Sequence, residues 1–286
     1  RLPYQPLALA EIEPLGEPLA RDATLLAGLV EGLARGRSED DLVRETALLP
    51  ALASGTTGRY QARLLVAAAR RLLAPVSVFL RPPPAKAGAR AAAAPPQVDP
   101  GTLERMAACC QRIALEARID GVRMFGEALL FPALGLQLVV GAYRLGARTL
   151  IDAWLAHALW SCALPASGPR TTLALADDGW VSVEGEIGAD ALAHALAIRR
   201  AAAQRPLPLF PQAWRVARKA ESDAQRLLAI EEALVGDEQS QRGALLSRPW
   251  AGALYRDSVP DPAAVLQASR DAYEPIFSQC VEKGLK

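Results

Sequence analysis

Residues 118–160 read RIDGVRMFGEALLFPALGLQLVVGAYRLGARTLIDAWLAHALW, and this stretch decides the fold. Two apolar runs, Val122–Phe131 and 134–145, are separated by Pro and Gly residues and predict two strands of a meander. A less regular strand is predicted directly before them, at 112–120. The following segment, Ala147–Ala163, has apolar side chains at three- and four-residue spacings, which predicts an amphipathic helix. Three strands and a helix therefore form the predicted core.

One further hairpin and several helices are predicted around this core. The runs 171–176 and 180–184 flank an Asp-Gly turn, which is typical of a β-hairpin. Ser38 is the expected N-cap of a helix whose first turn holds three acidic residues. Apolar periodicity predicts helices at 21–34, 38–46, 60–73, 189–204, 213–234 and 262–281. This order predicts an α/β or α+β fold with one mixed sheet.

The composition limits the possible functions. The chain has 286 residues, is 51% hydrophobic and carries 32 basic against 31 acidic residues, a formal net charge of +1. The hydrophobic fraction suffices for a buried core. The near-neutral charge argues against a freestanding DNA-binding module. The two histidines, His157 and His194, are too few for His-based metal sites. The four cysteines form no C-x-x-C pair, so we expect reduced thiols in a cytoplasmic protein.

Several common motifs are missing from the sequence. It contains neither GxxxxGK[ST] nor GxSxG, which argues against an ATP site and against a nucleophile elbow. The longest apolar run, 128–142, is interrupted and shorter than the roughly 18–20 residues that span a bilayer, so no membrane partner is expected. The chain opens at Arg1 without an initiator Met, and we expect it to be part of a longer protein.

The order of Ile119-Asp120, two strands, Tyr143-Arg144 and a helix resembles the core of restriction-endonuclease-like, PD-(D/E)XK-type nucleases. Their signature is G-x-I-D followed by D-Y-K at a strand end. That chemistry needs two carboxylates that hold Mg²⁺ and a Lys near the attacking water. Asp120 matches the first acid, whereas Ala142 replaces the second acid and Arg144 replaces the Lys.

The resemblance therefore predicts a degenerate site without catalytic residues, metal or cofactor. Ala142 has no oxygen, and the guanidinium of Arg144 stays charged and transfers protons poorly. An alternative interpretation of Asp120 is a turn residue before Gly121.

Three blocks resemble a known family, the C-terminal region of RecC, the gamma chain of exodeoxyribonuclease V. They are the helix block YRLGARTLIDAWLAHALWSCA at 143–163, the segment RPLPLFPQA at 205–213, and the closing stretch 250–277. The resemblance implies a non-catalytic subunit of the RecBCD helicase–nuclease, which acts in DNA repair and recombination. RecB-like and RecD-like subunits and a DNA duplex end or fork are the implied partners.

The resemblance also implies candidate contact residues. DNA-binding candidates are Arg118, Arg123, Arg144 and Arg148, which are expected around the degenerate site; alternatively, such arginines pair with Glu116, Glu127 and Asp152. Independently of the resemblance, Trp214 and Trp250 are partner-interface candidates because they lie in segments rich in helix-breaking residues, with burial in the core as the alternative.

Three parts of the chain are expected, and two other functions remain open. Residues 1–81 are predicted to be a helical lead-in packed on the core, 82–100 a flexible low-complexity loop, and 101–286 a nuclease-like α/β core with C-terminal helices.

One alternative function is an active metal-dependent nuclease that uses Asp120 with an acid such as Glu127. The other is a protein-interaction module without DNA contact.

Overall fold

Six strands form one open mixed sheet in the order β1 to β6. The computed structural model describes residues 23–80, 100–140, 145–165, 168–176, 178–204, 207–235 and 261–284. The strands are β1 (Gln111–Ile119), β2 (Val122–Phe131), β3 (Leu136–Val140), β4 (Thr171–Ala176), β5 (Gly179–Glu184) and β6 (Cys280–Gly284). Strands β3 and β4 pair in parallel, and every other neighbouring pair is antiparallel. The fold is therefore a mixed α/β fold.

Helices cover both faces of this sheet. Of the helices in the described residues, five precede the first strand: α1 (Ala23–Ala34), α2 (Glu39–Thr46), α3 (Gly55–Leu72), α4 (Val76–Leu80) and α5 (Pro100–Cys109). Five other described helices follow β3: α6 (Ala147–Ala163), α7 (Ala189–Gln204), α8 (Pro211–Ala217), α9 (Asp223–Val235) and α10 (Pro262–Phe277). No helix among the described ranges combines the length and the apolar character needed to cross a membrane.

Each face of the sheet has its own hydrophobic core. Leu136, Leu138 and Leu173 point to one face and pack with the helices that precede the sheet. Ala174 and Val181 point to the other face and pack with α6 to α10. The alternation of side chains along each strand explains this division, because successive residues of a strand face opposite sides. The result is a three-layer α/β/α arrangement.

Helix α6 connects the two parallel strands and is fixed by a buried polar chain. Thr172 Oγ1 lies 2.8 Å from Gln137 Oε1 and 2.8 Å from His157 Nδ1, and His157 Nε2 lies 2.8 Å from the carbonyl oxygen of Gly185. The carbonyl can only accept, so Nε2 carries the proton. The single hydroxyl proton of Thr172 lies between two acceptors, Gln137 Oε1 and His157 Nδ1. This chain connects β3, β4, α6 and the end of β5.

Gly135 permits the close approach that starts β3. It follows the 3₁₀ turn Pro132–Leu134 with a φ of 58°, in the left-handed region. A Cβ atom there would lie 2.1 Å from the carbonyl oxygen of Pro169. The Gly135 carbonyl also accepts a 2.8 Å hydrogen bond from the backbone N–H of Thr171, the first residue of β4. Glycine is therefore required where the parallel pair begins.

The predicted strands of the central segment, the 171–184 hairpin and the 147–163 helix are confirmed. Ser38 caps α2 as predicted, and its side chain accepts a hydrogen bond from the backbone N–H of Asp41. The strand predicted at 134–145 corresponds to β3. It starts later than predicted, at Leu136, because Pro132–Leu134 forms a 3₁₀ turn. The predictions for residues 1–20 and 82–99 lie outside the described residues.

Three helical predictions need correction. The predicted helix 213–234 is divided into α8 and α9, and the prediction that helix continues to residue 281 is wrong because β6 starts at Cys280 and pairs with β5. The helix predicted at 60–73 starts five residues earlier, since α3 begins at Gly55. Helices α4 and α5 were not predicted.

We predict that His157 makes stability pH-dependent. Burial lowers the pKa of His157 below its ordinary 6.5, and the nearby Arg170 charge acts in the same direction. The unfolded chain therefore binds this proton more tightly than the native chain, so stability falls as the pH drops through and below 6.5. Urea denaturation between pH 7.5 and 5.5 should show a shallower pH slope for His157→Gln than for the wild type. The exposed His194 gives the control His194→Gln, and equal slopes in all three proteins would contradict the prediction.

Candidate nucleic-acid interface

The β1–β2 hairpin is at the edge of the sheet and leaves one face open to solvent. Along β1, Leu115, Ala117 and Ile119 are buried, whereas the residues between them are exposed. Their exposed partners on β2 include Phe125, with 78% of its surface accessible. We call the exposed residues Arg112, Glu116, Arg118, Arg123, Phe125 and Glu127 the hairpin face, since cross-strand partners point to the same side.

Asp120 forms the turn of this hairpin and lies away from the end of β3. The φ angles of Asp120 and Gly121 are 49° and 75°, which are typical of a type I′ turn. The carbonyl oxygen of Asp120 accepts a 3.3 Å hydrogen bond from Arg200 Nη2 of α7. The register pairs Leu129 of β2 with Leu138 of β3, and Asp120 lies nine residues before Leu129 in the chain, roughly 31 Å at ~3.4 Å per residue. This geometry supports the turn interpretation of Asp120.

Two of the four candidate arginines form ion pairs. Arg123 donates to both oxygens of Glu116, at 2.8 and 2.7 Å, and this hydrogen bonding lowers the pKa of Glu116. Arg148 Nε lies 3.5 Å from Asp152 Oδ2, although burial raises the pKa of Asp152 despite this partner. These pairs agree with the alternative that the sequence left open.

The other two candidate arginines differ from these. Arg118 is exposed and lies directly across the hairpin from Arg123, and it forms no ion pair with any residue that the structure describes. Arg144 lies outside the described residues, as does Ala142. The described part of the hairpin face therefore offers Arg118 as its free cation, beside exposed Phe125.

A cleft of about 310 Å³ lies where β2 and β3 separate. Their ladder ends at the pair Leu129 and Leu138, although both strands continue beyond it. Arg112 stands at this cleft between two carboxylates. It hydrogen-bonds Glu127, with an Nε to Oε2 distance of 3.0 Å, and its Nη1 lies 3.2 Å from Glu31 Oε1. The hydrogen bond to Glu127 is the main reason why the pKa of Arg112 is raised.

The sequence reasoning did not single out Arg112 or Glu31. They are 81 residues apart, and only the packing of α1 against the sheet brings them together. Among the described residues, no three His, Cys, Asp or Glu side chains converge where they could hold a metal ion. At the cleft, the two acids Glu127 and Glu31 instead contact the guanidinium of Arg112.

The start of α6 is held by side chains from two other elements. Asp178 Oδ1, from the turn between β4 and β5, accepts a 2.7 Å hydrogen bond from the backbone N–H of Leu145. Gln212 Oε1 of α8 accepts one from the backbone N–H of Ala147, at 3.1 Å. These bonds satisfy backbone donors that a helix start leaves without partners inside the helix. The first turn of α6, which carries Arg148, is thereby fixed next to the end of β3.

The two tryptophans proposed as interface anchors have different outcomes. Trp214 is only 2% exposed and packs in the core formed by α6 to α10 and the sheet. Its burial supports the core interpretation, because a partner could not reach its ring. Trp250 lies outside the described residues.

We predict that Asp120 tolerates substitution by residues that accept a left-handed conformation. Asp120→Gly should change the free energy of unfolding little, whereas Asp120→Val should lower it by about 1–2 kcal/mol because a β-branched residue strains at positive φ. Urea denaturation of both variants measures this difference. A loss for the Gly variant as large as or larger than that for the Val variant would contradict the prediction, because positive φ would then not set the cost of substitution.

Comparison with protein families matches residues 1–221 to the RecC C-terminal domain. A search of curated proteins found no significant match. The family match covers more than three quarters of the 286 residues and includes the whole hairpin, the cleft and α6. RecC is the generally non-catalytic subunit of the exodeoxyribonuclease V (RecBCD) complex, which acts in DNA repair. The chain therefore belongs to the RecC C-terminal domain family.

Proposed function

We propose that this chain is a non-catalytic scaffold that handles DNA within a RecBCD-type helicase–nuclease in the cytoplasm. It contacts the duplex end or fork together with RecB-like and RecD-like subunits during double-strand break repair and recombination. The observation that carries this proposal, beyond the family, is the hairpin face. There an exposed cation, Arg118, lies beside an exposed aromatic ring, Phe125.

The hairpin face has the chemistry of a nucleic-acid contact. An arginine without an acidic partner can bind a backbone phosphate and release a counterion. An exposed aromatic ring can stack on a base, and such stacking contributes about 1–3 kcal/mol per base in single-strand binding proteins. Arg123 adds a second positive charge, although Glu116 neutralises it in the free chain. The balanced total charge is compatible with this local site, because binding depends on the charges that face the DNA.

We further propose that the core is a restriction-endonuclease-like fold that has lost its chemistry. The described order of β1, β2, β3, α6 and parallel β4 supports this assignment. In the proposal, Ala142 and Arg144 replace the acid and the lysine of the nuclease pattern. At the cleft, Glu127 and Glu31 already share the cation Arg112, which opposes the binding of Mg²⁺ between them.

The division of the chain at residues 81 and 100 belongs to the same proposal. The described helices of the first part, α1 to α4, pack on one face of the sheet and share a hydrophobic core with β3 and β4. The first part would thus support the core instead of forming a separate binding unit.

We predict that the chain binds a forked DNA duplex and that Arg118→Ala weakens this binding. Loss of one phosphate contact should lower the affinity at moderate salt and reduce the slope of log K against log salt by about 1. Fluorescence anisotropy with a labelled fork, measured across a salt series, gives both quantities. The matched control is Arg59→Ala, since Arg59 is exposed on α3, which packs on α1 and α2. An interaction module without DNA contact would show no salt-dependent affinity in any of these proteins.

We predict the opposite effect for Glu116→Gln. This change removes the carboxylate that holds Arg123 and leaves a residue of similar size, so the fork should bind more tightly than it binds the wild type. Unchanged affinity in this variant, with weaker binding in Arg118→Ala, would restrict the DNA contact to Arg118.

The absence of catalysis is tested with the same protein. Linear DNA incubated with the chain and Mg²⁺ or Mn²⁺ should remain intact. Cleavage that disappears in Glu127→Gln or Asp120→Ala would overturn the non-catalytic assignment in favour of an active nuclease.

A further inference from the structure

A small polar pocket lies among α8, α9 and α10. Its volume is about 160 Å³, and its lining consists of Trp214, Arg218, Arg226, Arg270 and Glu274. One water molecule needs only about 10–15 Å³ of such space. The pocket therefore has room for a small polyatomic ligand.

Three buried polar atoms of this lining have no hydrogen-bond partner within the described structure. They are the indole Nε1 of Trp214, Nε of Arg226 and Oε2 of Glu274. Trp214 is only 2% exposed, so its N–H is not free to turn toward bulk solvent. Buried donors and acceptors are normally paired, and unpaired groups at a cavity indicate that something in the cavity binds them.

The charges around the pocket favour an anion. Asp223 accepts from Arg226 Nη1 at 2.8 Å and from Arg270 Nη2 at 2.6 Å, and these hydrogen bonds lower the pKa of Asp223. Arg218 lies above the ring of Phe277 and only at the limit of an ion pair with Glu274, 3.9 Å away. Among the described residues around the pocket, three guanidinium groups thus face two carboxylates, an excess of one positive charge.

We propose that this pocket binds a phosphate group that carries one proton, as inorganic phosphate or a phosphate monoester. Its unprotonated oxygens would accept from Trp214 Nε1 and Arg226 Nε, and its remaining O–H would donate to Glu274 Oε2. In this form a monoester carries one negative charge, which matches the excess of one guanidinium, and inorganic phosphate carries two. A phosphodiester has no such O–H and is expected to bind more weakly. This site is separate from the proposed DNA contact of the hairpin face and does not depend on it.

Phosphate binding can be observed directly at the Trp214 indole N–H. The chain has five tryptophans, so a ¹H–¹⁵N spectrum should show five indole signals, and Trp214→Phe identifies the relevant one. Titration with sodium phosphate at constant ionic strength should shift that signal to saturation. Arg270→Gln should weaken the apparent affinity at least tenfold, while Arg59→Gln should leave it unchanged. A linear shift without saturation, or equal affinity in Arg270→Gln, would overturn the proposal.

Two further arms keep the proposal testable if Arg270→Gln does not fold. Glu274→Gln keeps an acceptor and removes a negative charge, so phosphate should bind more tightly. An oligothymidine with a 5′-phosphate should shift the Trp214 signal at lower concentration than the same oligothymidine without it. Equal shifts with the two oligothymidines would contradict the proposal that Glu274 accepts a hydrogen bond from the O–H of the phosphate. Arg118→Ala should not affect these shifts, which separates this site from the hairpin face.

Discussion

The parallel pairing of β3 with β4 is the constraint on which the rest of the structure depends. Parallel neighbours cannot be joined by a tight turn, so α6 must cross over the sheet between them. The buried chain of Gln137, Thr172 and His157 fixes the depth and rotation of α6, because each unpaired group would cost about 1–3 kcal/mol. With α6 fixed, the core of α7 to α10 assembles on that face, and the face below remains free for α1 to α5.

This arrangement also determines where charge is exposed. The first hairpin continues beyond the short ladder between β2 and β3, so one of its faces meets solvent instead of helices. Acids and bases alternate on that face and mostly neutralise each other, at Arg123 with Glu116 and at Arg112 with Glu127. Exposed ion pairs of this kind add little stability, so their main effect is on the local charge. Arg118 is the exception, and the cleft acids already hold a cation from the chain itself.

The sequence predicted local structure better than the site. Period-two and period-3.6 patterns placed the central strands and α6 correctly, because those segments bury one face along their length. The edge strand β6 was missed because its five residues directly follow α10 and form a strand only by pairing with β5. Arg112 and Glu31 were missed because their contact joins segments 81 residues apart. Asp120-Gly121 shows how a motif that resembles a metal site can also be the best sequence for a left-handed turn.

We propose that Arg112 holds the cleft acids Glu31 and Glu127, so that they do not bind a catalytic metal. Titration of the wild-type chain with Mn²⁺, followed by electron paramagnetic resonance of the free ion, measures this most directly. We expect no stoichiometric Mn²⁺ site at millimolar metal, either in the wild type or in Glu127→Gln. A stoichiometric site in the wild type that is lost in Glu127→Gln would contradict it, since these acids would then bind a metal ion in preference to Arg112.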